Sequence, residues 1–555
     1  MTIVVSTGDA KKEIGMKNLI TCLVVCALSG LTFAETWTVD DNDDGSADFN
    51  NIQAAVDAAI DGDEIVVMEG IYYEHDINTL GKSILIEGSI NTSGELLAVV
   101  HGNWQGSVFV CDSGETNSTV FKNLIITGGS AFSGAGMYIE ESSPSLVGCK
   151  FMNNYATKGF GGGMCIIDGT LSLVDCTFVG NIGGVGGGVY NQPEYNSAHE
   201  VRGCLFQNNQ AVNGNYGHGG GLKHSRGFLD ISNCDFVTNS ASGSGGGMSE
   251  YATNGIRIHN CTFTGNVAQG GGGLDTGGIG GCTIISSTFN GNHATMHGGA
   301  IQSASPSLYI INSRLTNNVA DLMGGAVLML YADQQPAMFV NCMIDNNTTS
   351  AGATVSVHGT IATKFVNTAI INNNGSGLYL EGWEGHQVDV HNSIVWGNTP
   401  ISISVMGDLA VDVRFSDIDG GWEGEGNINT DPLIVFKDGA VILDSESPCI
   451  DNGSDALLPA DALDLDDDGD VFEALPLDFF GELRVGGVSV DIGAIEYHSQ
   501  VCLGDVDGDL IVNITDLLTI IAQWGLTNSP ADVNLDGTVD VTDLLIAVGN
   551  WGPCE

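Results

Sequence analysis

The residues of this 555-residue chain whose types and spacing most clearly specify chemistry lie at its C-terminal end. Asp505, Asp507, Asp509, Ile511, Asn513 and Asp516 recur 27 residues later as Asp532, Asn534, Asp536, Thr538, Asp540 and Asp543. Each set puts side-chain oxygens at loop positions 1, 3, 5, 9 and 12 and a backbone carbonyl, of Ile511 or Thr538, at position 7. Alternate residues of a tight loop converge on one point, and an all-oxygen ligand set suits a hard divalent cation, Ca²⁺ above all. Gly537 at position 6 permits the sharp turn; Leu510 takes that place in the first loop and weakens its fit. Leu517-Leu518 to Trp524 and Leu544-Leu545 to Trp551 read as helices that carry the last carboxylate in their first turn. Cys502 and Cys554 flank the module and are candidates to clasp its two ends by a disulfide.

Two more acidic runs, Asp40-x-Asn42-x-Asp44 and Asp464-x-Asp466-x-Asp468, have the first half of the same ligand spacing and a following Gly. Neither leads into the expected helix and carboxylate, so calcium ligation and an exposed acidic turn both stay open.

Composition bounds what such sites serve. Lys and Arg total 16 against 67 Asp and Glu, a net charge of −51, which repels nucleic acid and anionic membranes. Polyanionic glycans are disfavoured too, unless a cation bridges. Hydrophobic residues make up 43%, enough for packed cores, and 79 Gly with only 11 Pro suits many tight turns rather than collagen or a linker. Near the N-terminus, Lys17, an apolar run from Leu19 to Phe33 and the small-x-small Thr32-Phe33-Ala34 read as an export signal cleaved after Ala34. Residues 1–15 read as an upstream extension. An exported, extracellular or surface location follows, with no transmembrane span.

The body of the chain is a repeat. Phe-x-x-Asn occurs as Phe151/Asn154, Phe178/Asn181, Phe206/Asn209, Phe236/Asn239, Phe263/Asn266 and Phe289/Asn292. It continues with aliphatics at Leu315/Asn318, Ile344/Asn347, Ile370/Asn373 and Val395/Asn398, with Ile125 as an earlier member, at spacings of 25 to 30 residues. Units of this length bury their faces only by stacking. Within each unit, period-2 alternation breaks at one residue and resumes one position out of phase. Gly148, Asp175, Gly203, Asn233, Asn260, Asn312, Asn341, Asn367 and Asn392 occupy that break, types that tolerate a left-handed conformation, with Ser286 the misfit. A variable loop, a glycine cluster such as Gly245-Gly246-Gly247 and a third strand complete the turn. Three short parallel strands per turn make an all-β parallel β-helix of about a dozen coils. Cys149, Cys176, Cys204, Cys234, Cys261 and Cys342 share one repeat position with Ser287, Ser313, Thr368 and Ser393, so the place wants a small side chain. A buried thiol ladder is favoured over disulfides, because side chains on parallel rungs point the same way.

These repeats resemble the right-handed parallel β-helix (pectin-lyase-like) superfamily, and Phe-x-x-Asn with Gly-Gly-Ala-Ile is similar to polymorphic outer-membrane protein repeats. The resemblance assigns residues 35–83 to an N-terminal cap and first strands, with Ile52 to Val56 as a short helix. It assigns 84–420 to the repeats and 421–498 to a terminal β segment. Residues 499–555, two calcium loops each followed by one helix with Asp at position 12, resemble a type I dockerin. That resemblance implies an EF-hand-like, Ca²⁺-dependent fold docking onto a cohesin, with partner choice at Ile514/Thr515 and Val541/Thr542. A structural calcium domain, or one folded back on its own β-helix, is the alternative.

Both families imply work on extracellular polysaccharide, by hydrolysis or by a lyase reaction, yet no catalytic set emerges from the residues. Gly217-His218-Gly219 and Asn429-Thr430-Asp431 resemble polygalacturonase elements in reversed order, and the glycine cluster accounts for the first. Lys223, His224 and Arg226 form a weak basic group near one third strand. The catalytic residues are unknown at this level. A glycan-acting enzyme and a non-catalytic adhesin or structural β-helix both stand.

Overall fold

The computed structural model describes residues 34–555 except 43–44, 157, 195–196, 252–253, 331–335, 438–439, 462–463, 466–467, 499–503, 508–510, 528, 535 and 554–555. The export signal, Asp44, Asp466, Asp509, Leu510 and the Cys502/Cys554 pair therefore lie outside the described residues. The chain divides into two compact units: one runs to Val390 and adds Val395–Asp412, the other comprises His391–Ile394 and Val413–Glu555.

The first unit is a parallel β-solenoid, part of about 14 turns. Its strands fall into three sheets, A, B and C, of 15, 14 and 21 strands. Sheet C has the most because, in most turns, a two-residue strand and a longer one both join it. The corner between A and B is the single residue at the phase break. Gly148, Asp175, Gly203, Asn233, Asn260, Asn312, Asn341, Asn367 and Asn392 all have positive φ, and so does Ser286, at 47°. The misfit follows the rule because stacking dictates the corner, whatever residue sits there. A second left-handed column, directly before each ladder Asn, turns the chain out of sheet B. It includes Asn153, Asn208, Asn317, Asn346 and even Thr238. Apart from Thr238 its members are Asn or Gly, the types that adopt this conformation most readily.

The Phe-x-x-Asn motif divides its work between packing and hydrogen bonding. Phe151, Phe178, Phe206, Phe236, Phe263 and Phe289 stack with centroids 4.5–5.1 Å apart and planes within 7° of parallel. All six are fully buried. The asparagines form an internal ladder. Asn239 Nδ2 donates to Phe206 O at 2.8 Å and to Asn266 Oδ1 at 3.1 Å, and its Oδ1 accepts from Asn209 N and Nδ2, both at 3.0 Å. The turn's orphan backbone groups are thus satisfied inside the core, away from water. The apolar residue of this column one coil before Phe151 is Ile126, one residue later than the spacing suggested: Ile126 pairs with Phe151, while Ile125 faces outward beside Lys150. Two Ile in succession left the sequence ambiguous by one position, which in a strand is the opposite face.

The cysteine column is a thiol ladder. All ten described cysteines are free and buried. Cys176 N, Cys204 N and Cys234 N each donate to the next coil's Sγ at 3.3–3.4 Å. At the solenoid's start, helix α1 (Ile52–Ala58) buries Ile52, Ala55 and Val56, and the Asn51 side chain caps it. A strand not foreseen, Thr36–Val39, precedes it and pairs with Glu64–Val67.

The second unit holds an antiparallel hairpin (Ile434–Lys437 with Ala440–Leu443) and a compact segment around buried Arg484. The Arg484 guanidinium donates to the carbonyls of Asp491, Gly493 and Ala494 at 2.8–3.0 Å and lies 3.8 Å from Glu496. The motifs 447–451 and 490–496 pack together here: Ile492 N donates to Cys449 O, and Asp451 N to Asp491 Oδ1. Among the described residues no helix is long and apolar enough to cross a membrane.

Two measurements check this account. Asn239→Ala orphans the Phe206 carbonyl and the Asn209 amide in a dry core, and is expected to cost about 3 kcal/mol or more, read as a lower urea midpoint. Wild-type-like stability would show that the ladder is not a principal restraint. The second concerns acid groups. Burial pushes Glu496 up to about 7 and also raises Asp491, despite the amide bonds each accepts. A carboxyl raised in the fold is destabilising once ionised, so its contribution is whole below its ordinary value of 4.5 and is lost as pH rises through about 7. Amides of residues 491–497 should then exchange more slowly at pH 5 than at pH 8, after correction for intrinsic rates; equal protection would contradict the burial argument.

Candidate functional sites

The duplicated acidic module forms two matching loop-helix units. Helices α2 (Ile514–Ala522) and α3 (Val541–Gly549) each begin with a capping box, Asn513 with Asp516 and Asp540 with Asp543. The position-12 carboxylates do the same work twice. Asp516 accepts from the amides of Val506, Asp507 and Asn513 at 2.7–3.2 Å. Asp543 accepts from those of Val533, Asn534 and Asp540 at 2.8–3.1 Å. Both carboxylates are fully buried. Burial pulls their pKa upward, but the amide bonds outweigh it and hold both below the ordinary range. They are ionised at neutral pH, and each fastens its loop to its helix.

The remaining loop residues point into the same space. Ligand oxygens of Asp505, Asp507 and Asp516 lie within 4.8 Å of one another. In the second loop, Asp532 accepts from Asp536 N and Gly537 N, and Asp536 from Asn534 Nδ2 and Thr538 N. The Ile511 carbonyl accepts from Asn513 Nδ2. An all-oxygen cluster of three close carboxylates fits a hard cation of calcium's type. Under the loops, Val512, Ile520, Ala531, Val539 and Ala547 form a small closed core. Ile511–Val512 pairs antiparallel with Gly552–Pro553, so backbone bonds tie the first loop to the C-terminal part of the module.

Each helix leaves a matching apolar row exposed. Ile514, Leu518 and Ile521 on α2, with Trp524 just beyond it, correspond to Val541, Leu545 and Val548 on α3, with Trp551 just beyond it, every one about half exposed or more. Such rows on a monomer's surface mark an interaction face. Of the two residue pairs expected to choose the partner, Ile514 and Val541 open these rows.

In the described part of the two half-motifs elsewhere, the carboxylates bond within their own turns. Asp40 Oδ1 accepts from Asn42 N and Nδ2, and Asp464 Oδ1 accepts from Gly469 N. Asp468 Oδ1 takes the Asp470 amide.

On the solenoid, Lys223, His224 and Arg226 do not assemble. Strand alternation sends Lys223 to the outer face of sheet C and His224 into the interior, where its Nδ1 meets Asn191 Nδ2 at 3.0 Å. Arg226 sits in a left-handed corner, φ 82°. Lys223 instead joins a line across successive coils: its Nζ lies 3.1 Å from Ser249 Oγ, which is 3.4 Å from Asp275 Oδ2, with Gln302 Nε2 3.2 Å from Asp275 Oδ1. Burial raises Asp275 to about 6 and lowers Lys223. The spacing is that of an activated hydroxyl, but Ser249 is 1% exposed, and no substrate reaches it. His218 accepts from Ser244 N, and Asn429 and Asp431 cap turns in the other unit; these residues form no common site.

A different feature was invisible in the sequence. Outside sheet A, a groove of about 910 Å³ runs along the coils between residues 114 and 232, lined by Glu141, Ser172, His199, Glu200, Phe228 and Asp230 among others. Glu200 pairs in register with Asp230 on the next coil, and Ser172 with Glu200. No motif marks these positions. Only alignment of the coils puts residues 58 apart on one stripe.

Comparisons with known proteins agree with this anatomy. Residues 249–418 match the family described as right handed beta helix region, and residues 503–547 match the dockerin type I domain. No curated protein matches. Among solved structures, similar chains include tailspike protein 3 of bacteriophage CBA120, at 14% identity over 78% of this chain and 75% of that one, TM-score 0.40. Pectate lyase Pel9A is 13% identical over 85% and 98%, TM-score 0.26. XylC, solved with xylose, is 11% identical over 84% and 99%, TM-score 0.36. Dockerin type I domains generally bind calcium and cohesins. The chain thus combines a right-handed β-helix region with a C-terminal dockerin type I domain.

Proposed function

We propose that this is an exported glycan-associated protein, whose β-helix binds extracellular polysaccharide and whose dockerin module tethers it to a cohesin through bound Ca²⁺. The observation that carries the reading is the twofold module. Both position-12 carboxylates are held identically, and both helices expose the same apolar row. Ca²⁺ would be held by Asp505, Asp507, Asp509, Asn513, Asp516 and the Ile511 carbonyl in the first loop. Asp532, Asn534, Asp536, Asp540, Asp543 and the Thr538 carbonyl would hold it in the second. Bound Ca²⁺ supplies the charge that lets these crowded carboxylates stay ionised together. The chain's own part is to fix the loops to the helices, so that the two rows face outward as one surface.

Catalysis is not needed for this reading. A non-catalytic surface element is favoured by one observation: Ser249, the hydroxyl at the centre of the most enzyme-like line on the solenoid, is buried.

Calorimetric titration of the EDTA-treated full chain should show calcium uptake, with Asp516→Ala and Asp543→Ala each losing one site. The same substitutions strip three amides of their acceptor, so each also costs about 2–3 kcal/mol of module stability without metal, seen as lost helical signal on mild heating. Calcium uptake without capture of any member of a cohesin panel would reduce the module to a structural calcium domain. Capture that survives EDTA would sink the calcium-dependent tether. Where capture occurs, replacing Ile514 and Val541 together by Asp should abolish it.

A further inference from the structure

The groove outside sheet A has the chemistry of a carbohydrate site, and that chemistry narrows the ligand. We propose that it binds a neutral, hydroxyl-rich oligosaccharide, with the Phe228 ring as its stacking platform and Glu200 and Asp230 accepting hydrogen bonds from sugar hydroxyls. This rests on reading the β-helix as glycan-binding and names the class of glycan.

Four observations support it. First, the groove's volume of about 910 Å³ is that of a ligand cleft rather than a surface dimple. Second, its wall is rich in acceptors and hydroxyls, and no Lys or Arg lines it. Glu200 has Arg202 beside it, Nε 3.9 Å from Oε1, but that guanidinium is half exposed and outside the groove. Carboxylates accept from sugar hydroxyls and repel uronates, so this wall selects against acidic glycans. Third, Phe228 is 39% exposed, with only Ala198 and Gly255 as its in-register neighbours. Among the described residues, no side chain larger than alanine stands in register beside the ring, so a pyranose face can lie against it. Fourth, the floor is fixed and neutral. His199 Nδ1 accepts from Leu171 N at 3.0 Å, so its Nε2 carries the proton toward Ser197 Oγ at 2.8 Å. Burial holds it down to about 4, uncharged at neutral pH.

A metal site is the competing reading of four acids, Glu115, Glu141, Glu200 and Asp230, in one groove. Their oxygens do not converge: among the described residues, no three groove carboxylates come within 4.8 Å of one another. Glu200 and Asp230 stand one rung apart on a straight stripe, the arrangement that tracks a polymer rather than encloses an ion.

The test uses the full chain, titrated calorimetrically with cello-, xylo-, manno- and laminari-hexaose and with hexagalacturonate. At least one neutral hexaose should bind and hexagalacturonate should not. Phe228→Ala is expected to weaken the neutral ligand roughly tenfold, and Glu200→Gln with Asp230→Asn to weaken it further. Phe228 lies outside the core, so its variant should melt with wild type. Tyr251→Ala, an exposed ring on sheet C, should change nothing. Neutral binding that is indifferent to Phe228 and lost with Tyr251 would overturn the site but leave the β-helix a glycan binder. Preferential binding of hexagalacturonate would overturn the ligand class. Silence from every glycan would overturn both this site and the glycan-binding reading it rests on.

Discussion

Everything on the solenoid depends on stacking turns in register, about 4.8 Å apart, and the buried asparagines enforce it. A parallel strand bonds evenly to its neighbours and would tolerate slippage. The ladder does not, because Asn181, Asn209, Asn239, Asn266 and Asn292 each join three successive turns through both ends of one amide. Slipping by one residue would leave buried amides and carbonyls unpaired along the whole column. The stacked Phe rings add area and dispersion to that restraint, but a greasy column alone is non-directional. Hydrogen bonds choose the register, and the rings stabilise the choice.

Register has a chemical consequence. Each position of the repeat becomes a stripe, and a stripe of one residue type is chemically dull. Thiols along Cys149 to Cys261, each turned to a carbonyl or to the preceding coil's amide, are an example: they fill space and are buried. Sites arise where a stripe changes character. On sheet A the outward column runs Ser145, Ser172, Glu200, Asp230, Arg257, Thr283, Tyr309. Its acidic and hydroxyl part coincides with the groove. On sheet C the Lys223–Ser249–Asp275 change of type centres on a buried hydroxyl and forms a polar brace.

In the dockerin module one residue type is again placed for two purposes. The final Asp of each loop is the N3 partner of the capping box and, on the proposed reading, the last member of the ligand set. Fold and proposed ligand set share a group, so cation binding would be coupled to helix formation. That coupling leaves a very small core, built around Ile520 and Ala547, to define the module. The apolar rows can then face outward instead of being spent on the interior.

The sequence by itself determined the architecture and the duplicated acidic module. Both are local and repeated: a ligand at alternate positions, or an Asn at every turn, is visible in one dimension because its partner is its own copy one period away. Even Ser286 could be placed at a corner by its neighbours' rule. What the tertiary structure alone decided was facing and cover. It moved the first apolar rung from Ile125 to Ile126, separated Lys223 from His224 and sealed Ser249. It also gathered Glu141, Ser172, Glu200 and Phe228 from different turns into one groove. Those outcomes depend on which side of a strand meets which loop, and each loop differs in length and residue. A period fixes where a residue lies along the axis, whereas burial and access belong to whatever the neighbouring turns place over it.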